Sequence, residues 1–327
     1  MVNKKKRKNS GQPAKPTLMG KEGDGERFIL EKRLGAGGIC QVYEATDLRR
    51  MEYGDAAPKI ALKCLLPEFV DNPHARLALV QEFLTLRHIT APGVVRVFDL
   101  HATSGGPCFS MELLSGHTAR EWLHHHNNGS GKTGIKKAAQ LLDSLSYMHR
   151  LGIVHGDIKP ANIFLAQGDR TVLFDFNIAR VNAPPGNAST ALAQGLRRKL
   201  KLSAQSMLYA SPERLQGSGL SAADDIFALS CTVYEFISGQ HPFNRQPANQ
   251  YAGMQPGRPP NMKWTHWYWL KRGLSFTAAL RPSAVSMQKA FAADKGFMRL
   301  FYIFGHALDK ILRRWSRVKT PKPNRRK

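Results

Sequence analysis

His155-Gly156-Asp157-Ile158-Lys159-Pro160-Ala161-Asn162, followed by Phe174-Asp175-Phe176-Asn177, is the stretch on which the reading of this chain turns. It gathers a carboxylate, a lysine and an amide in one short loop and sets a second carboxylate shortly downstream. An acid in such a loop can orient an attacking hydroxyl. An amide and a second acid suit a divalent cation, and a lysine steadies a moving anion; phosphoryl transfer asks for this combination. Gly156 leaves the centre of the first triplet without a side chain.

Upstream of the loop the pattern is that of strands. Phe28-Ile29-Leu30 leads into a glycine turn, then Gln41–Ala45 and Ile60–Leu65, short apolar runs separated by turn residues as in a meander. Between Pro73 and Ile89, Leu77, Val80, Phe83, Leu84 and Leu86 recur at helical spacing. Val94–Leu100 and Cys108–Leu113 read as two further strands. After Thr118 the character turns helical, and no internal repeat is visible. Strands first and helices later predict an α+β, two-lobed architecture with a cleft between the lobes.

With 327 residues the chain can bury a substantial core. Its 48 Lys+Arg against 24 Asp+Glu, a net +24, favour anionic partners: nucleotide, acidic protein, membrane surface or nucleic acid. Cys40, Cys64, Cys108 and Cys231 are scattered without CxxC spacing, which argues against a zinc site or a disulfide framework. No apolar run is long enough to span a bilayer, and the Lys-, Gly- and Pro-rich N-terminus lacks a signal-peptide pattern. A cytoplasmic protein is expected.

Leu34-Gly35-Ala36-Gly37-Gly38-Ile39-Cys40-Gln41-Val42 lies between two strand signals. Glycines there let backbone amides approach phosphate, although a plain glycine-rich hairpin has the same spelling. Lys63 sits in an apolar strand and asks for an anionic partner, which Glu82 on the following helix can supply. A snorkelling lysine and a solvated glutamate are the bland alternative.

Taken in order, these residues resemble the eukaryotic-type (Hanks-type) serine/threonine protein kinase family, its bacterial members in particular, from about residue 27 to residue 292. The resemblance implies a bilobal protein-kinase fold. Its smaller lobe, about 26–113, is an antiparallel β-sheet with one helix, and its larger lobe, about 117–292, is helical. It implies that ATP lies against Leu34, Gly35, Ala36, Gly37, Gly38 and Val42, with Ala61, Lys63 and Glu82 beside them. Lys63 would bind the α- and β-phosphates. Met111 would guard the back pocket, with backbone from Glu112 to Leu114 meeting adenine. Asp157 would be the base, Lys159 would neutralise the γ-phosphate, and Asn162 and Asp175 would hold magnesium, or manganese in its place. Ser211-Pro212-Glu213 and Arg281 match a structural ion pair of the family, and Ser206 stands at its hydroxyl position beside the acid and lysine.

Three departures bear on function. Gly156 replaces an arginine that usually reads a phosphate on the activation segment, so an enzyme of the non-RD kind, independent of that phosphorylation, is expected. His-Gly-Asp also occurs in aminoglycoside- and choline-type kinases, which makes a small-molecule kinase the rival; Lys159 and the Glu213–Arg281 match favour protein as acceptor. A pseudokinase scaffold is the other alternative, against which Lys63, Glu82, Asp157, Asn162 and Asp175 all stand. Cys40, at the third glycine position, is expected to add bulk above the phosphates, and Asn177 replaces the glycine after Phe176.

The ends are basic. Residues 1–25 read as a disordered arm, and 293–327 as an extension in which Phe297, Leu300, Phe301, Phe304, Leu308, Ile311, Leu312 and Trp315 recur at helical spacing. That helix fits an anionic membrane surface or the kinase lobe itself. The basic tails also fit nucleic acid. Arg197–Lys201 suits either a docking site for acidic substrate or a solvated loop, and Ser189, Thr190 and Ser203 are candidate phosphorylation sites. The aromatic cluster Trp264, Trp267, Tyr268 and Trp269 reads as core.

Overall fold

The computed structural model describes residues 17–20, 26–103, 105–126, 129–176, 179–181, 203–253, 255–260 and 262–292. They fall into two compact units. The first takes in the described residues up to His88 together with Arg96–Leu114; the second takes in Ile89–Val95 and the described residues from Ser115 onward.

The first unit is an antiparallel sheet with a helix on it. Its strands are β1 (Thr17–Gly20), β2 (Glu26–Gly37), β3 (Cys40–Asp47), β4 (Lys59–Leu65), β5 (Val97–Thr103) and β6 (Gly106–Met111), in the order β1-β2-β3-β4-β6-β5. The apolar strand Lys59–Leu65 is central and buried along nearly its whole length, as a run without polar alternation requires. Phe28, Leu30, Ala45, Ile60, Leu62, Cys64 and Cys108 close the core on one side of the sheet. Two α-helices join the sheet, the five-residue α1 (Leu48–Glu52) and the 15-residue α2 (Pro73–Arg87). Helix α2 starts where Asn72 caps it, accepting from the amides of His74 and Ala75 at 3.0 and 3.2 Å, with Pro73 in the first turn. It turns Leu79, Glu82, Phe83 and Leu86 inward against β4, β5 and β6.

Two details differ from the sequence reading. Thr17–Gly20, within the expected basic arm, pairs with the start of β2 as an edge strand, Leu18 opposite Ile29. The strand expected from Val94 begins at Val97. Gly93 and Val95 spend their backbone groups on Leu173 in the second unit instead, at 2.9 and 3.0 Å.

The second unit opens with β7 (Gly116–Thr118), α3 (Ala119–His125) and α4 (Gly131–Arg150). Four short strands follow: β8 (Ile153–Val154), β9 (Ile163–Ala166), β10 (Arg170–Leu173) and β11 (Arg180–Val181). Among the described residues it then continues through α5 (Ala204–Tyr209), α6 (Pro212–Leu215), α7 (Ala222–Ser238), α8 (Trp264–Gly273) and α9 (Ala284–Ala292). Helix α7 is apolar around most of its circumference and accordingly buried, packed by α4 and α8. A Ser221–Asp224 capping box starts it, and Gly239 ends it in the left-handed conformation. Its two most deeply buried charges are Asp225 and Glu235, each hydrogen-bonded to residues outside the helix.

The tryptophan cluster splits: Trp267 is buried, whereas Trp264 lies exposed beneath the Arg258 guanidinium. No helix among the described residues is long and apolar enough to cross a membrane. Asn177, Ser189, Thr190, Arg197–Lys201 and the extension from 293 lie outside the described residues.

Candidate active site

The predicted site residues form two sets, one in each unit. In the first unit, strand β4 and helix α2 bring Lys63 and Glu82 together. The ammonium donates to Glu82 Oε1 at 2.7 Å, with both side chains buried. A charge so deeply placed is tolerated only because the partner neutralises it. The glycine-rich stretch is the β2–β3 hairpin, with Gly37 opposite Cys40 and Gly35 opposite Val42. Only Gly38, at φ +61°, needs a glycine for its turn; Cβ atoms added at Gly35 and Gly37 would meet nothing within 4 Å. Protein packing therefore does not explain those two glycines. Cys40 is buried at the start of β3, opposite Leu65, and alternation along the strand puts it on the same face as Val42 and Lys63. Leu34 is exposed beside the hairpin, Ala61 is buried on β4, and Glu112 and Leu114 follow β6. Glu112 ties down this exit by donating its amide to the Arg96 carbonyl and accepting the Arg96 amide on Oε1, both at 2.9 Å.

In the second unit the loop between β8 and β9 carries the second set. Lys159 Nζ donates to Asp157 Oδ2 at 2.7 Å and to Ser206 Oγ at 2.8 Å. Asn162 Nδ2 donates to the carbonyl and the carboxylate of Asp157, both at 2.9 Å. Asp157 is thus held by a cation and an amide. The Ser206 hydroxyl joins it through the Lys159 ammonium. Ser206 is itself set by Ser203, whose hydroxyl caps α5 and lies 2.8 Å away. Phe174 donates its amide to the Asn162 carbonyl, tying the strand that leads to Asp175 to the same loop. Asp175 has a left-handed backbone, φ +65°, which aspartate tolerates better than most residues.

The loop hangs from helix α7. Asp225 accepts the amides of His155 and Gly156 at 2.9 and 2.8 Å, and His149 Nε2 lies 2.9 Å from the same carboxylate. The fully buried His155 ring accepts from the Asp157 amide on Nδ1, which leaves Nε2 to donate to the Phe174 carbonyl at 3.3 Å. Those bonds select the Nε2–H tautomer. Phe176 packs on that ring, centroids 4.4 Å apart. Gly156 sits at φ +82°, a conformation that L side chains resist. The glycine is therefore more than a missing arginine; the backbone path itself favours it.

Glu213 and Arg281 meet as expected, in a two-pronged pair of 2.5 and 2.8 Å, while Arg281 also donates to the carbonyls of Ser275 and Ala223. Burial acts against the Glu213 charge, yet the Arg281 hydrogen bonds outweigh it and hold the carboxyl below its ordinary value. Sequence reasoning missed the linkages made by His149, Glu235 and Arg245. Glu235 had a usable signal, a lone acid inside the apolar run Ile226–Ile237.

The family model described as protein kinase domain matches residues 28–275. Among curated proteins the chain is similar to the serine/threonine-protein kinase PknD of Mycobacterium tuberculosis, 29% identical over 245 residues, covering 71% of this chain and 34% of that protein. It is 32% identical to PknB of the same species over 222 residues, 67% of this chain and 33% of that one. A probable serine/threonine-protein kinase of Streptomyces coelicolor is 30% identical over 223 residues, covering 67% of this chain and 31% of that protein. The chain thus spans about a third of the length of these relatives. Since the family match runs without a break through both residue sets, the chain belongs to the protein kinase domain family.

Proposed function

We propose that this chain is a serine/threonine protein kinase that transfers the γ-phosphate of ATP to a protein hydroxyl. The observation that carries this reading is Asp157, clamped by Lys159 and Asn162 so that one carboxylate oxygen is fully engaged while the group stays partly accessible. An acid so oriented can accept the proton of a substrate hydroxyl as it attacks, which is general-base chemistry. Lys159 sits beside the acid, where a cation offsets charge on the group in transit. In the first unit, Lys63 offers a phosphate-binding cation already held in place by Glu82. The open backbone at Gly35 and Gly37 fits amides that approach phosphate oxygens.

Asn162 and Asp175 are the residues that would hold magnesium or manganese. One amide and one carboxylate are a sparse oxygen set, as suits a hard cation that takes its remaining ligands from phosphates and water. When bound, the ion supplies charge neutralisation at the β- and γ-phosphates. Gly156 supports a non-RD enzyme that works without activation-segment phosphorylation, because no guanidinium at that position can receive the phosphate. We further read the working place as the cytoplasm, and the basic tails as contacts for anionic membrane or nucleic acid.

The test is incubation with labelled ATP, magnesium and a panel of basic and acidic proteins, wild type beside Asp157→Ala. Label on protein that vanishes in the variant is expected. Nucleotide binding with no labelling, even of the chain itself, would establish a pseudokinase scaffold. Transfer to aminoglycoside or choline alone would establish the small-molecule reading. Phosphatase-treated enzyme should retain its rate; loss of activity that returns on rephosphorylation would overturn the regulatory part.

A further inference from the structure

Beside Lys159 the second unit contains a cavity of about 450 Å³, walled by helices α3 and α5 and by the turn after α7. Two acids line it, and both are engaged by the protein itself. Glu121 is drawn into the capping box of α3, its Oε2 accepting from the Thr118 amide at 2.8 Å and hydroxyl at 2.9 Å. Glu235, almost fully buried, accepts from Tyr209 Oη at 2.7 Å on one oxygen and from Arg245 at 2.6 Å on the other.

Arg245 reaches Glu235 only through an unusual turn. Asn244 and Arg245 are consecutive non-glycine residues with left-handed backbones, φ +49° and +56°. Such residues cost about 1–2 kcal/mol each and persist where the surroundings impose them. Here the clamp is the buried His241. Its Nδ1 accepts the amides of Phe243 and Arg245, both at 3.2 Å, and its Nε2 donates to the Leu208 carbonyl at 3.1 Å. The turn is thus fastened to the residue preceding Tyr209, and it lays a guanidinium over an acid that would otherwise face the cavity. The Arg245 side chain remains 62% exposed and keeps further donors available. Across the cavity, Arg120 is exposed on α3.

We infer that Arg245 and Arg120 form a receptor for the carboxylate of an acidic residue near the phosphorylated hydroxyl of the protein substrate, so that the kinase is acidophilic at that position. This rests on the protein-kinase reading above. Arg245 also acts as a built-in occupant of Glu235, which would otherwise recruit a basic residue. Removing it should therefore invert the preference, not merely weaken it.

The experiment uses the full chain and serine peptides in which glutamate, alanine or arginine is moved through each position flanking the acceptor. Wild type should favour glutamate over alanine at one position by roughly fivefold in kcat/KM, the scale of one exposed ion pair. Arg120→Gln should bring that ratio towards one. Arg245→Ala, checked by thermal melting, should shift the preference at that position to arginine. If Arg245→Ala does not fold, Arg120→Gln decides alone, and an unchanged ratio overturns the inference. Phosphorylation of all peptides irrespective of charge overturns the inference and leaves the kinase reading intact. Absence of transfer to any peptide, with ATP unconsumed, overturns the kinase reading and the inference with it.

Discussion

Replacing Gly156 by alanine should destabilise the protein through its backbone more than through its side-chain packing. The residue sits at φ +82°, and its amide and that of His155 are fixed by Asp225 at 2.8 and 2.9 Å. The chain cannot relax to negative φ without giving up those two bonds to a buried carboxylate. An L residue held there costs about 1–2 kcal/mol. The new methyl would also come within 2.7 Å of Leu220 Cδ2, but that atom is the end of a flexible, partly buried side chain and can rotate away. Thermal unfolding of Gly156→Ala should therefore fall by about 2–4 °C for each kcal/mol lost, as expected for a domain of this size. The double variant Gly156→Ala/Leu220→Ala, compared with Leu220→Ala alone, should recover little of that loss. A melting temperature within a degree of wild type would refute the reasoning, as would full recovery in the double variant. The same argument makes Gly156→Arg a poor way to install phosphate control, since the arginine would inherit the strain.

Three further outcomes are expected. Asp157→Asn should lower the phosphate-transfer rate by about 10²–10⁴-fold while nucleotide binding and melting stay near wild type; loss of both together would mean that Asp157 is a structural residue. Arg281→Ala should cost about 2–3 kcal/mol in denaturant unfolding, less than a fully buried pair because Glu213 is partly exposed, with Arg281→Lys recovering only part because lysine lacks the two-pronged donor geometry. Stability should fall as pH drops from about 6.5 to about 4: burial, with Arg245 near His241 and Arg27 near His101, pushes both imidazoles down to about 4, so the unfolded chain binds the extra protons across that window. The stabilisation is complete above the unfolded value, and His241→Gln should flatten the slope of an unfolding series; an unchanged slope would exclude His241 as a source.

Much of the architecture could be read from local pattern. The apolar run Ile60–Leu65 announced a buried strand, and the spacing of Leu77, Val80, Phe83 and Leu86 after Pro73 announced the helix that follows. Asp157, Lys159 and Asn162 lie so close in sequence that only a tight turn separates their side chains, and their grouping was legible for that reason. Thr17–Gly20 was not legible, because a short edge strand owes its existence to the neighbour it pairs with.

The order and identity of polar residues by themselves pointed to the chemistry proposed for this chain, since the candidate base, its cation and the candidate metal ligands are properties of residue type at short spacing. How those residues are held was decided only by the tertiary structure. Asp225 reaches His155 and Gly156 across about 70 positions of chain, and Arg281 reaches Glu213 across 68. The Arg245–Glu235–Tyr209 chain exists only because His241 pins a left-handed turn to Leu208. Such bonds depend on loop closure and on burial that strengthens them, and neither is encoded in the spacing of any one segment.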